Sequence, residues 1–130
     1  MILDTSFLID LMNDHADAVT CARALEGERL IQRIPAQVVY ELYVGVGYTD
    51  TPEREVEKIQ SVIESRPVVE TSEPIARLAG RLDGHLRRDR NRIAQGDIRT
   101  GATARHFDEP VVTGNPADFE PLPGVDVRTY

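Results

Sequence analysis

Short apolar runs alternate with longer amphipathic segments along this chain of 130 residues. The runs are too short for helices and end at glycine, proline or polar residues, which is typical of buried strands. The predicted strands are residues 1–3, 30–34, 68–70, 111–113 and 125–127. The predicted helices are residues 7–13, 16–25, 35–45, 53–65, 74–88 and 97–107. This alternation predicts a single α/β domain over residues 1–130, a three-layer α/β/α sandwich with a mostly parallel central sheet of four or five strands.

The charge of the chain argues against general nucleic-acid binding. It has 15 basic and 22 acidic residues, a net charge of −7, so on average it should repel a polyanion. Lys58 is the only lysine, and the remaining basic residues are arginine. Few lysines with a surplus of acid suggest adaptation to a salt-rich cytoplasm. At such salt concentrations the screening length falls to about 3 Å, so an acidic protein can still approach a polyanion.

Two further features bear on the cellular compartment. Cys21 is the only cysteine, which excludes an intrachain disulfide and a thiolate zinc site and fits a reducing interior. No apolar run approaches the roughly 20 residues of a membrane span, and the first residues lack a signal-peptide pattern. We therefore expect a cytoplasmic protein without a membrane partner.

The first predicted strand ends on Asp4, which is followed by Thr5 and Ser6. Open α/β sheets bind their ligands at the carboxyl ends of parallel strands, where these side chains fall. Their hard oxygens suit Mg²⁺ or Mn²⁺. Equally, Asp4 or Thr5 simply caps the following helix. Taken alone, these two interpretations are about even.

Three other acids stand at comparable positions. Glu41 lies at the rim of the apolar stripe of its helix, Asp97 follows Gly96 at a helix start, and Asp118 lies in the turn after a strand. Each has an ordinary explanation, as a boundary glutamate, an N-cap or a turn residue. Together with the acid after the first strand, they converge on one edge of a parallel sheet. Converging carboxylates repel each other unless a cation neutralises them, which predicts a divalent metal. Such a metal can activate a water and stabilise negative charge on a phosphate.

At these positions the sequence resembles the PIN-domain ribonucleases, in particular the toxin subunit of VapBC-type toxin–antitoxin pairs. Four segments carry the resemblance in chain order: residues 2–10 around Asp4, residues 35–42 around Glu41, residues 93–104 around Asp97, and residues 111–119 with Asn115 and Asp118. The resemblance implies an α/β/α sandwich and a Mg²⁺- or Mn²⁺-dependent endoribonuclease that is the toxin of a type II toxin–antitoxin system.

The resemblance also implies roles for individual residues. Asp4 and Asp97 would be the primary metal ligands, and Glu41 would help to hold the metal or its water. The fourth motif offers either Asn115, which adds no charge, or Asp118, so its assignment stays open. The implied catalytic residues are Asp4, Glu41, Asp97 and Asp118, with Thr5, Ser6 and Asn115 in supporting roles.

Partners follow from one basic segment and from the resemblance. Residues 77–92 hold six arginines and two acids. Either Arg87, Arg88, Arg90 and Arg92 contact RNA phosphates, or they form a solvated helix end where cations are favourable. The resemblance implies an RNA substrate, a VapB-type antitoxin that covers the cleft, and a homodimer or a hetero-oligomer with the antitoxin. A groove for the antitoxin, or ordinary core, is predicted at Leu8, Leu11, Met12, Tyr43 and Val46.

Two other functions compete with the toxin nuclease. A PIN domain that has lost efficient catalysis would bind RNA or an antitoxin, which the neutral Asn115 leaves open. A phosphotransfer domain with Asp4 as nucleophile is disfavoured. Ser6 stands where a haloacid-dehalogenase phosphatase needs a second aspartate, and Lys58 lies on a charged helix rather than after a late strand.

Overall fold

The computed structural model describes all 130 residues and contains five short strands and six α-helices. The strands are β1 (Ile2–Leu3), β2 (Ile34–Pro35), β3 (Val68–Val69), β4 (Val111–Val112) and β5 (Val127–Arg128). The helices are α1 (Thr5–Met12), α2 (Ala16–Gly27), α3 (Ala36–Tyr48), α4 (Pro52–Ile63), α5 (Glu73–Arg88) and α6 (Gln95–Phe107). A short 3₁₀ helix, Pro116–Asp118, follows β4.

All strand pairs are parallel. β4 pairs with β1 and β5, and β2 pairs with β3. A parallel bridge between Ile2 and Arg33 joins these two groups, giving the spatial order β3-β2-β1-β4-β5. The chain runs to one side of β1 first and to the other side later, so a topological switch point lies between β1 and β4. The predicted parallel sheet of four or five strands is confirmed.

Alternate strand residues supply two separate cores. Leu3 and Val112 face a core that includes buried residues of α1 to α4. Ile2 and Val111 face the opposite way, into a core shared with α5 and α6. Because successive strand residues point to opposite faces, two-residue strands are enough to connect both layers of helices. The predicted three-layer α/β/α sandwich is therefore confirmed.

Several predicted boundaries were wrong by a few residues. The second strand begins at Ile34, and Leu30 and Ile31 before it are exposed. Pro35, predicted to open the third helix, instead pairs in β2 and has the extended ψ of 141°. Ser72 caps the start of α5, because the N–H of Ile75 donates to Ser72 Oγ at 3.5 Å. No helix is both long and apolar enough to span a bilayer.

Candidate carboxylate site

Asp4 is buried at the switch point between β1 and β4, with 5% of its surface exposed. It occupies the N-cap position of α1, yet its side chain makes no capping hydrogen bond. Its Oδ2 instead accepts hydrogen bonds from Thr113 Oγ1 at 2.7 Å and Ser6 Oγ at 3.1 Å. Burial raises the pKa of Asp4, and the charge of Asp118 adds to this, while the hydrogen bonds oppose it. Helix capping therefore does not account for the placement of this carboxylate.

A small hydroxyl network connects the ends of β1 and β4. Thr113 is fully buried directly after β4, and its Oγ1 lies 3.0 Å from Ser6 Oγ. The backbone N–H of Asn115 donates to Thr113 Oγ1, and that of Gly114 donates to Ser6 Oγ, both at 3.0 Å. Thr113 was missed as a site residue, although a hydroxyl directly after a buried strand is the same signal that drew attention to Thr5 and Ser6.

Glu41 lies on α3 at the edge of the apolar stripe, as predicted, with Val38 and Leu42 buried beside it. Thr5 Oγ1 donates to Glu41 Oε1 at 3.1 Å. Partial burial and the charge of Asp4 raise the pKa of Glu41, against the hydrogen bonds from Thr5 and Gln37. Two of the predicted site segments are thus joined directly.

Asp97 lies in the first turn of α6, whose N-cap is Ala94 rather than an aspartate. Loss of solvation, followed by the charges of Asp4, Asp118 and Glu41, raises the pKa of Asp97 from 3.8 to about 7. The close approach depends on Gly96, where a Cβ would lie 3.2 Å from Glu41 Oε2. The four predicted carboxylates are therefore close enough to repel each other.

The two candidates in the fourth motif differ in what they bring to the site. Both are exposed. Asp118 ends the 3₁₀ helix, and its charge raises the pKa of Asp4 and Asp97. Asn115 makes hydrogen bonds through its backbone: its N–H donates to Thr113 Oγ1, and its carbonyl accepts from the N–H of Asp118. Asp118 therefore contributes to the electrostatics of the site, whereas Asn115 contributes to its framework.

The donor set fits a hard divalent cation in chemistry and charge. The side chains at the site are carboxylates and hydroxyls, which Mg²⁺ and Mn²⁺ prefer, and a cation would relieve the repulsion that raises the pKa of Asp97. No three acids, histidines or cysteines are preassembled as a metal cage. The carboxylates would have to draw together around an ion.

The predicted RNA-contacting arginines make no hydrogen bond or ion pair with the four carboxylates of the site. Arg87 on α5 is held by Asp83 through hydrogen bonds of 2.8 and 3.1 Å. Arg88, Arg90 and Arg92 are exposed at the end of α5 and in the following loop. Arg99 on α6, which the sequence did not single out as a site residue, donates to Gln37 Oε1 at 3.2 Å, and Gln37 in turn acts on Glu41.

A second missed residue is Tyr130. Its hydroxyl donates to Asp10 Oδ2 at 2.6 Å, and its ring packs edge-on against Phe7 with centroids 5.2 Å apart. A Cβ at Gly114 would lie 2.7 Å from the Tyr130 hydroxyl. Tyr130 therefore packs directly behind the loop that hydrogen-bonds to Ser6.

Comparisons with known proteins agree with this architecture. Similar solved structures include VapBC2 from Rickettsia felis bound to a promoter DNA fragment, with a TM-score of 0.89, 20% identity, and coverage of 99% of this chain and 97% of that chain. DNA-bound VapBC from Salmonella typhimurium has a TM-score of 0.87 and 23% identity, with coverage of 98% of this chain and 96% of that chain. VapBC-5 from Mycobacterium tuberculosis has a TM-score of 0.72 and 25% identity, with coverage of 98% of this chain and 94% of that chain.

The sequence comparisons give one further result. No curated protein sequence matches this chain at a significant level. The family model described as the PIN domain matches residues 1–122, which include all four carboxylates of the site. The chain therefore belongs to the PIN domain family.

Proposed function

We propose that this chain is a metal-dependent endoribonuclease and the toxin of a type II toxin–antitoxin system. Membership of the PIN family supports a nuclease in general terms. The observation that carries the finer proposal is the pKa of Asp97, raised to about 7 by burial and by three other carboxylates. A cluster of this kind is suited to a divalent cation, and phosphodiester hydrolysis is chemistry that such a cation assists.

In this proposal Asp4 and Asp97 hold Mg²⁺ or Mn²⁺, and Glu41 and Asp118 complete the negative site. The bound cation lowers the pKa of a water and offsets charge on the phosphate. The protein's own part is to fix its carboxylates. Thr113 and Ser6 both donate to Asp4 Oδ2 and so restrict the orientation of that carboxylate.

Glu41 would help to hold the cation or its water, because the charges of Glu41, Asp4 and Asp97 act on one another. Thr5 keeps its carboxylate turned toward the site. For the fourth position, the effect of Asp118 on Asp4 and Asp97 supports Asp118 over Asn115.

The test is cleavage of single-stranded RNA by the wild type, Asp4→Asn and Asp97→Asn. We expect the wild type to cleave with Mg²⁺ or Mn²⁺, to stop with EDTA, and to recover when metal is restored. Both variants should lose at least a hundredfold in rate, whereas Asp50→Asn, an exposed loop control, should retain activity. A wild type no faster than the site variants would reject the nuclease and favour the catalytically weakened binding module.

The toxin role is supported by structural resemblance to chains of VapBC toxin–antitoxin complexes. Of the predicted groove residues, Leu8 is fully buried, and Leu11, Met12 and Val46 pack against the core, so only Tyr43 is exposed. An apolar surface is instead present along α3, where the exposed residues are Tyr40, Tyr43, Val44 and Tyr48. We propose this surface for a VapB-type antitoxin.

Expression in a host cell tests the toxin role directly. Expression of the wild type in the cytoplasm of the host should arrest cell growth. Co-expression of the antitoxin from an adjoining reading frame should restore growth. Asp97→Asn should not arrest growth but should still bind the antitoxin. Sedimentation of the free chain and of the complex then decides between a homodimer and a hetero-oligomer. Arrest that persists in Asp97→Asn would contradict a catalytic toxin.

The basic residues after α5 are proposed to contact RNA phosphates. Arg88, Arg90 and Arg92 are exposed, whereas Arg87 is held by Asp83. If they bind phosphates, replacing Arg88 and Arg90 by glutamine should weaken RNA binding and reduce its dependence on salt concentration. An unchanged salt dependence would assign these arginines to the solvated helix end.

A further inference from the structure

A cleft of about 300 Å³ lies between α5 and α6. It is lined by Thr71, Ala76, Ala79, Gly80, Asp83, Gln95, Ile98 and Arg99. Thr71 follows β3 closely, as Asp4 follows β1 and Thr113 follows β4. Since all strands are parallel, the cleft opens at the same carboxyl edge of the sheet as the carboxylate site.

The cleft and the carboxylates share a wall. Arg99 lines the cleft and donates to Gln37 Oε1 at 3.2 Å. Gln37 in turn hydrogen-bonds to Glu41, whose other oxygen partner is Thr5. The cleft is therefore linked to the proposed catalytic groups through Arg99 and Gln37.

The charge of the cleft is opposite to that of the carboxylate site. Its one acid, Asp83, is paired with Arg87, and the charges of Arg92 and Arg99 further lower the pKa of Asp83. Arginines thus outnumber acids here, which disfavours a metal ion and favours the approach of an anionic nucleic-acid strand. The floor is narrow and apolar, formed by Ala79 and Ile98.

We propose that this cleft binds an unpaired nucleobase of the RNA strand next to the scissile phosphate. This proposal rests on the proposed endoribonuclease activity. The volume is at the lower end for small-ligand pockets, which suits one base. Single-stranded RNA is commonly recognised through splayed bases that stack on arginine planes and hydrogen-bond at their edges. Arg99 offers the plane, and Gln95 and Thr71 offer the edge contacts.

Two glycines of α5 give a matched pair of test variants. Gly80 lines the cleft, and Gly84 lies one helical turn further on and does not. Both are exposed, and an added Cβ at either position meets no atom within 4 Å. Leucine is a better helix former than glycine, so Gly80→Leu and Gly84→Leu should both fold. Only Gly80→Leu fills the cleft.

The substrates are an oligoribonucleotide that spans a mapped cleavage site and copies with one abasic nucleotide beside that site. Loss of a stacked base costs roughly tenfold or more in affinity. We expect Gly80→Leu to raise KM about tenfold on the intact strand with kcat little changed, and Gly84→Leu to match the wild type. One abasic strand should bind poorly to the wild type because it lacks the base that enters the cleft. On that strand, Gly80→Leu should have the same KM as the wild type.

Equal KM for both leucine variants, or an equal penalty on intact and abasic strands, would overturn the base-binding cleft. Binding of the same strands in EDTA, measured by fluorescence anisotropy, separates the two proposals. A wild type that does not cleave RNA but loses affinity on Gly80→Leu refutes the nuclease and keeps the cleft. If the wild type cleaves RNA and Gly80→Leu binds the strands as tightly as the wild type does, the base-binding cleft is refuted and the nuclease is retained.

Discussion

The strongest quantitative consequence of the carboxylate cluster is that metal-free Asp97→Asn should be more stable than the wild type. The pKa of Asp97 rises from 3.8 to about 7 in the folded protein. Each pKa unit corresponds to 1.36 kcal/mol, so the whole shift corresponds to a cost of ~4 kcal/mol for the charged form without solvent screening. Because the side chain is only partly buried, water screens the repulsion, and a gain of about 2 kcal/mol is the better expectation.

The pH dependence fixes the sign of this effect. A carboxyl whose folded pKa is raised binds more protons in the folded state than in the unfolded state. The penalty is therefore absent below about pH 4, where both states are protonated, grows between pH 4 and 7, and is complete above pH 7. The stability advantage of Asp97→Asn should follow the same course.

Urea unfolding in EDTA at pH 5 and pH 8 measures this difference. Asp50→Asn serves as the exposed control and should change stability by less than about 0.5 kcal/mol. Added Mn²⁺ should stabilise the wild type more than Asp97→Asn, since a ligand stabilises the state that binds it. If Asp97→Asn is less stable than the wild type at pH 8, or gains equally at both pH values, burial and the neighbouring carboxylates do not raise the pKa of Asp97.

Three other perturbations probe the framework and the surface. Thr113→Val removes the buried hydroxyl that donates to Asp4, so the free energy of unfolding measured with denaturant should fall by about 1.5–3 kcal/mol. The affinity for Mn²⁺, measured by calorimetry, should also fall. Gly101→Ala would bring a methyl group 2.5 Å from Leu122 Cδ1 and should cost about 1–3 kcal/mol, whereas Gly27→Ala meets open space and should not. The surplus of acids and the single lysine predict a melting temperature that rises with KCl, and a flat or falling trend would reject adaptation to salt.

The layered fold was predictable because each element is locally specified. Buried strand residues such as Ile2 and Leu3 are apolar on both faces, and helices such as α5 carry a complete apolar stripe with a serine cap. Boundaries were less accurate where a residue suits two states. Pro35 has a φ of −61°, which is acceptable in a helix start and in a strand, and only pairing with Val69 decides between them.

The acids of the site were predictable because each falls at a strand end or a helix start, positions that a parallel sheet brings together. Their neighbours were not. Thr113 contacts a carboxylate 109 residues away, and Tyr130 contacts Asp10 across 120 residues. No local pattern marks such a contact, since it exists only once the sheet order and the helix packing are fixed.

Asp4 does not have the properties of an aspartate that only caps a helix. A capping aspartate gains from the helix dipole and from backbone N–H donors, which lower its pKa. Asp4 makes no side-chain cap, is almost fully buried, and has a raised pKa, as do Glu41 and Asp97. A fold selected only for stability would not keep these carboxylates together. Their proximity is explained if a cation normally offsets the repulsion, so Mn²⁺ should reduce the stability advantage of Asp97→Asn over the wild type.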